Sequence, residues 1–164
     1  MSKLKKMLIL ATLSSLAAVL SIFESMLPIL PAIPGGKLGI ANSVAVFVMY
    51  IFGGFSAITV SVIRTVISSL FYGGMNAFMY SFAGALFSTL VMIVAHKTLK
   101  NRISPIGISV LGAACHNTAQ VAVAYLVLRS SALVWYLAVL ILISVVSGTA
   151  CGYCTEECLK RIKD

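Results

Sequence analysis

Residues 31–43 read PAIPGGKLGIANS and stand between two long apolar runs. Whether this stretch ends one helix and starts another decides the fold. Pro31 and Pro34 resist continuing a helix, because proline lacks a backbone N–H and its ring clashes with the preceding turn. Gly35 and Gly36 permit a sharp turn, and Lys37 supplies a charge that an apolar core would exclude. The stretch therefore reads as a loop, with Asn42 just inside the run that follows. Its rigid and flexible halves suit a lid over a bundle, with Lys37 and Asn42 at its base. A tight connection with a snorkelling lysine is the plainer alternative.

On either side, the chain is built for a bilayer. It has 164 residues, 60% of them hydrophobic and 10% charged, far from the balance of a soluble domain. Crossing a hydrocarbon core of ~30 Å takes about 20 mainly apolar residues. Charges and turn residues cut the chain into pieces of that kind at 6–27, 38–53, 55–71, 76–95, 105–128 and 132–152. The predicted fold class is all-α, a polytopic six-transmembrane-helix bundle forming one domain over 1–164, with a short N-terminus (1–6) and a polar tail (153–164). The second and third pieces are short and separated only by Gly53 and Gly54, which predicts tilted or partly re-entrant segments. Lys3, Lys5 and Lys6 ahead of the first run look like the start of a signal peptide. The run continues past a normal h-region, so it reads as a retained helix.

Basic residues set the expected orientation, since cytoplasmic loops carry an excess of Lys and Arg. Six spans put both termini on one side, together with Lys3, Lys5, Lys6, Lys97, Lys100, Arg102, Lys160, Arg161 and Lys163. Only Lys37 and Arg129 fall opposite. Both termini are thus expected in the cytoplasm of a cell-membrane protein, with the PAIPGGK loop outside. The net charge of +8 is then mostly a topology signal, helped by anionic lipid, and needs no nucleic acid.

Several polar groups fall inside the spans. Arg64 lies mid-run in FSAITVSVIRTVISSLF with Ser61, Thr65 and Ser68 on its side. A central arginine costs roughly 2.5–3.5 kcal/mol, so it should face protein or water, either as an anion-binding group or bonded to neighbouring carbonyls. In GAACHNTAQVAVAY, His116, Asn117 and Gln120 share a helical face with Ala113 and Ala124, which suits a cavity wall. Glu24 is the sole acid within a span. Counting helical rise places it about 10 Å nearer the outer surface than Arg64, so Lys37 is its expected partner.

Small residues at Ala11, Ser15 and Ala18, with Ser14 and Ser21 beside them, would let another helix approach closely. Gly84 with Ser88, and Gly148 with Gly152, repeat the pattern. Such stripes serve either packing within the bundle or docking of a separate subunit. Cys151, Cys154 and Cys158 share one face at a reducing cytoplasmic mouth, but three thiols lack a clear fourth ligand for zinc or an iron–sulfur cluster. A nucleophile elbow, a P-loop and an Asp-rich magnesium motif are all missing from the sequence.

In PGGKLGIANSVAVFVMYIFG, VIRTVISSLFYGG, SFAGALFSTLVMIV and SPIGISVLGAACHNTAQV, in that order, the chain resembles the Gx transporter family, also described as heptaprenyl diphosphate synthase component I. The likeness runs through most of residues 7–128. It implies a protein similar to the substrate-binding S components of energy-coupling factor (ECF) transporters. Such a subunit captures a small molecule under a first-loop lid and docks through its first helix on a transmembrane T component, while two cytosolic ATPases hydrolyse ATP. The lid would be Pro31, Pro34, Gly35 and Gly36, the docking stripe Ala11, Ser15 and Ala18, and the candidate site Lys37, Asn42, Arg64, His116, Asn117 and Gln120. No cofactor or catalytic residue is expected in this chain. The alternative is a membrane accessory subunit of polyprenyl diphosphate synthesis, working beside a soluble prenyl diphosphate synthase that supplies the magnesium-binding acids.

Overall fold

The computed structural model describes residues 2–26, 39–71, 74–99, 102–129 and 132–163, and every regular element among them is helical. The helices are α1 (Lys3–Met26), α2 (Ile40–Phe52), α3 (Gly54–Phe71), α4 (Gly74–Leu99), α5 (Pro105–Leu128) and α6 (Ala132–Lys163). Five of them are long and apolar enough to cross a membrane. The chain is an all-α, multi-pass membrane bundle. The expected lid residues Pro31, Pro34, Gly35 and Gly36, and Lys37 at its base, lie outside the described residues.

The exception to the length rule is α2, whose 13 residues span about 20 Å. It is short because it is the centre. The other helices form a ring in the order α1, α3, α4, α5, α6, each touching its neighbour, and α2 packs against all five. Ala41, Asn42, Val44, Ala45, Val46, Val48 and Met49 bury the larger part of its circumference, while Ser43, Phe47, Tyr50 and Ile51 share the remaining, less buried face. Among the described residues α1 and α6 do not touch, so the ring is open there, with α2 as its floor.

Local chemistry sets the helix ends. Gly39 precedes α2 with φ of 77°, and Gly53 separates α2 from α3 with φ of 88°, left-handed conformations open to glycine without penalty. The Ser104 hydroxyl accepts from Gly107 N at 3.2 Å and Pro105 opens α5, the usual N-cap and first-turn arrangement. The expected polar tail is not a separate segment, because α6 continues to Lys163. There Lys160 pairs with Glu156 and Glu157 at 3.2 and 2.9 Å, surface pairs that solvent screens.

Glycine decides the closest helix contact. A Cβ at Gly148 would lie 2.6 Å from Val110 Cα, and one at Gly152 would lie 2.5 Å from Ile106 Cα. These small residues, and Gly84 and Ser88 in α4, are used for packing inside the bundle. The α1 stripe is divided between two faces: Ala18 is buried with Ser14, Ala17 and Ser21, while Ala11 and Ser15 are exposed.

Candidate functional site

Polar groups from five helices converge on one internal cavity. It is lined by Ser21 and Glu24 of α1, Asn42 of α2, Arg64, Thr65 and Ser68 of α3, Ser81 of α4, and Ala113, His116 and Asn117 of α5. Four of the six residues expected from the sequence, Asn42, Arg64, His116 and Asn117, meet there. Lys37 is outside the described residues. Gln120 stands nearly one turn beyond the lining, packed where a Cβ at Gly84 would come within 2.9 Å of its Cγ.

The cavity measures about 20 Å³, room for about one water. Its walls are strongly polar for such depth. Arg64 is 5% exposed, and its Nε has no hydrogen-bond partner among the described residues. Asn42 is buried by Met92 and Gly112, with its Nδ2 3.8 Å from Met92 Sδ and its Oδ1 unpartnered among the described residues. Asn117 lines the cavity and also ties α5 to α6, donating from Nδ2 to Ser144 Oγ at 2.7 Å and to Leu140 O at 3.3 Å.

Glu24 lines the same cavity as Arg64, and its charge acts on the guanidinium; Lys37, its expected partner, lies outside the described residues. The Glu24 carboxylate accepts the Ile40 backbone N–H, placing a negative charge at the α2 N-terminus, where the helix dipole favours it. The sequence holds two signals for this: Glu24 is the one acid and Arg64 the one arginine within the expected spans, and Thr65 and Ser68 share the Arg64 face. Ser81 carried no comparable signal.

The cysteines separate. Cys151 is buried, with its thiol 3.6 Å from Gly39 O, while Cys154 and Cys158 are exposed beside α1. Among the described residues no three His, Cys, Asp or Glu side chains converge to hold a metal.

A buried guanidinium beside amides, an imidazole and hydroxyls can hold a small anionic or strongly polar group, in surroundings where charge acts more strongly than in water. Fold and cavity together define a multi-pass helical membrane protein with a polar chamber at its centre. More particularly, the chain belongs to the family described as heptaprenyl diphosphate synthase component I, whose model matches residues 13–158. The match extends through most of α6, beyond the 7–128 region that carried the resemblance. No curated protein and no solved structure matches the chain.

Proposed function

We propose that this chain is a non-catalytic membrane component that holds a small anionic group at Arg64 on behalf of other chains. The observation that carries the proposal is Arg64 itself: 5% exposed, facing a polar cavity, with Nε unpartnered among the described residues. A cation buried so deeply is costly unless something offsets its lost hydration. Glu24 supplies part of that compensation, and a bound anion would supply more. A cavity of about 20 Å³ must widen to admit anything larger than water.

The family assignment favours service to heptaprenyl diphosphate synthesis. In this reading the chain is an accessory subunit beside a soluble prenyl diphosphate synthase. Holding magnesium against a diphosphate takes clustered acids, and the chain has four acidic residues in all, with Asp164 its only aspartate. The elongation chemistry therefore belongs to the partner.

A second reading rests on the convergence of five helices on the cavity and on the resemblance to S components. The chain is then the substrate-capturing subunit of an ECF-type uptake system, docked on a T component with two cytosolic ATPases. Both readings place it in the cell membrane with both termini cytoplasmic, as the basic residues suggest.

Native mass spectrometry of the protein and its Arg64→Gln variant, each purified in mild detergent from its own membranes, tests the proposal. The wild type is expected to retain an anionic small molecule that the variant loses. A prenyl synthase in the complex supports the accessory role, and a T component with ATPases supports uptake. Equal retention by both proteins would remove Arg64 from the site.

A further inference from the structure

At the end of the bundle that gathers the basic residues, the ends of α2, α4 and α6 and the start of α5 enclose a depression of about 670 Å³. It shares no described lining residue with the polar cavity. Tyr50, His96, Ser104, Glu156 and Lys160 form its polar wall, and Ile51, Leu159 and Ile162 an apolar one. The Tyr50 and His96 rings brace each other, with centroids 4.5 Å apart and planes at 61°. The Glu156 charge acts on Tyr50, and His96 Nδ1 has no hydrogen-bond partner among the described residues.

Glu156 is not consumed by Lys160. The Lys160 ammonium donates to Glu157 at 2.9 Å and stands 3.2 Å from Glu156, and Glu157 does not line the depression. Glu157 can therefore hold Lys160 while Glu156 accepts from another group, since a carboxylate has room for several donors. An ammonium suits that wall, because it offers three N–H donors and aromatic rings beside a carboxylate attract a cation. Lys160 adds the opposite charge, so the depression is neutral as a whole and complements a head that carries both signs. Ile51 and Ile162 are 38% and 61% exposed, so the apolar wall opens outward, where hydrocarbon chains can lie against it.

We propose that this depression holds a phospholipid whose zwitterionic head ends in a primary ammonium. The ammonium sits on Glu156 beside Tyr50 and His96, the phosphate on Lys160, and the acyl chains along Ile51 and Ile162. This site is independent of the one at Arg64. Selectivity comes from the head, because the chains meet surroundings of equal polarity whether bound or free in the bilayer. A phosphatidylcholine head carries the same charges but has no N–H to give, so it forgoes the contact with Glu156 that an ethanolamine head makes.

The test places the full-length protein in nanodiscs of equimolar phosphatidylethanolamine and phosphatidylcholine, releases it into mild detergent, and identifies the retained lipid by native mass spectrometry. Phosphatidylethanolamine is expected to be enriched roughly tenfold over phosphatidylcholine, the scale of one hydrogen bond to a charged group, and Glu156→Gln to abolish the enrichment. Ile162→Trp, which narrows the depression from an exposed position, is expected to lower retention of both lipids. Thermal denaturation of each variant confirms folding. Enrichment that survives Glu156→Gln in a folded protein would overturn the site. So would a preference for phosphatidylglycerol over phosphatidylethanolamine, since the wall would then select net negative charge. Displacement of the lipid by glycerophosphoethanolamine, the same head without chains, would make the ligand a soluble one and remove the lipid. If Glu156→Gln releases a co-purifying chain and leaves the retained lipid unchanged, the depression docks a protein and the proposal is overturned.

Discussion

Asn117 shows how one side chain can serve packing and site together. Its amide donates to Ser144 Oγ and Leu140 O, and it also lines the cavity. Reading the sequence alone, Asn117→Ala should weaken binding and spare the fold. With the α6 contacts known, the same change is expected to cost about 1–3 kcal/mol as well, because it removes a donor from a buried acceptor, and to lower the midpoint of thermal denaturation. Gln120→Leu is the contrast. Gln120 is 6% exposed and its Oε1 has no partner among the described residues, so replacing it with an apolar side chain should be neutral or stabilising. Both residues share one helical face and were indistinguishable by position, because the wheel reports direction and not what the facing helix offers.

At the scale of the element, the glycines separate rigid contacts from yielding ones. A Cβ at Gly152 would meet the Ile106 backbone at 2.5 Å, whereas one at Gly112 would meet the end of the Met92 side chain at 2.3 Å. Backbone cannot step aside and a methionine terminus can. Gly152→Ala should therefore force α5 and α6 apart and cost roughly 1–3 kcal/mol or more, while Gly112→Ala should cost under about 1.5 kcal/mol. Thermal denaturation of the two variants in one detergent reads the difference, and equal losses would contradict it. The small-residue spacing in α6 was legible in the sequence, but its use for internal packing was not. The same spacing in α1 leaves Ala11 and Ser15 exposed and Ala18 buried, because α1 covers α2 and α3 with only one of its faces.

For the whole molecule, the expected orientation is testable: with one crossing per helix, both termini and nine of the 12 Lys and Arg residues share one side, which should be cytoplasmic. In a cysteine-free background, a membrane-impermeant thiol reagent applied to intact cells is expected to label Arg129→Cys and to leave Ser2→Cys unlabelled until lysis. The reverse pattern would invert the molecule in the membrane.

Hydrophobic run length, turn residues and basic loops by themselves determined that this protein is a six-helix membrane bundle, since a bilayer imposes its thickness on every span and its polarity on every connection. They also picked out Asn42, Arg64, His116 and Asn117, because polar groups are conspicuous where most positions must be apolar. Tertiary structure alone decided that the short α2 is the central helix, that Glu24 shares a cavity with Arg64, and that α1 and α6 do not touch among the described residues. Those facts depend on the relative depth and neighbours of helices far apart in the chain, and helical periodicity carries information about one helix at a time.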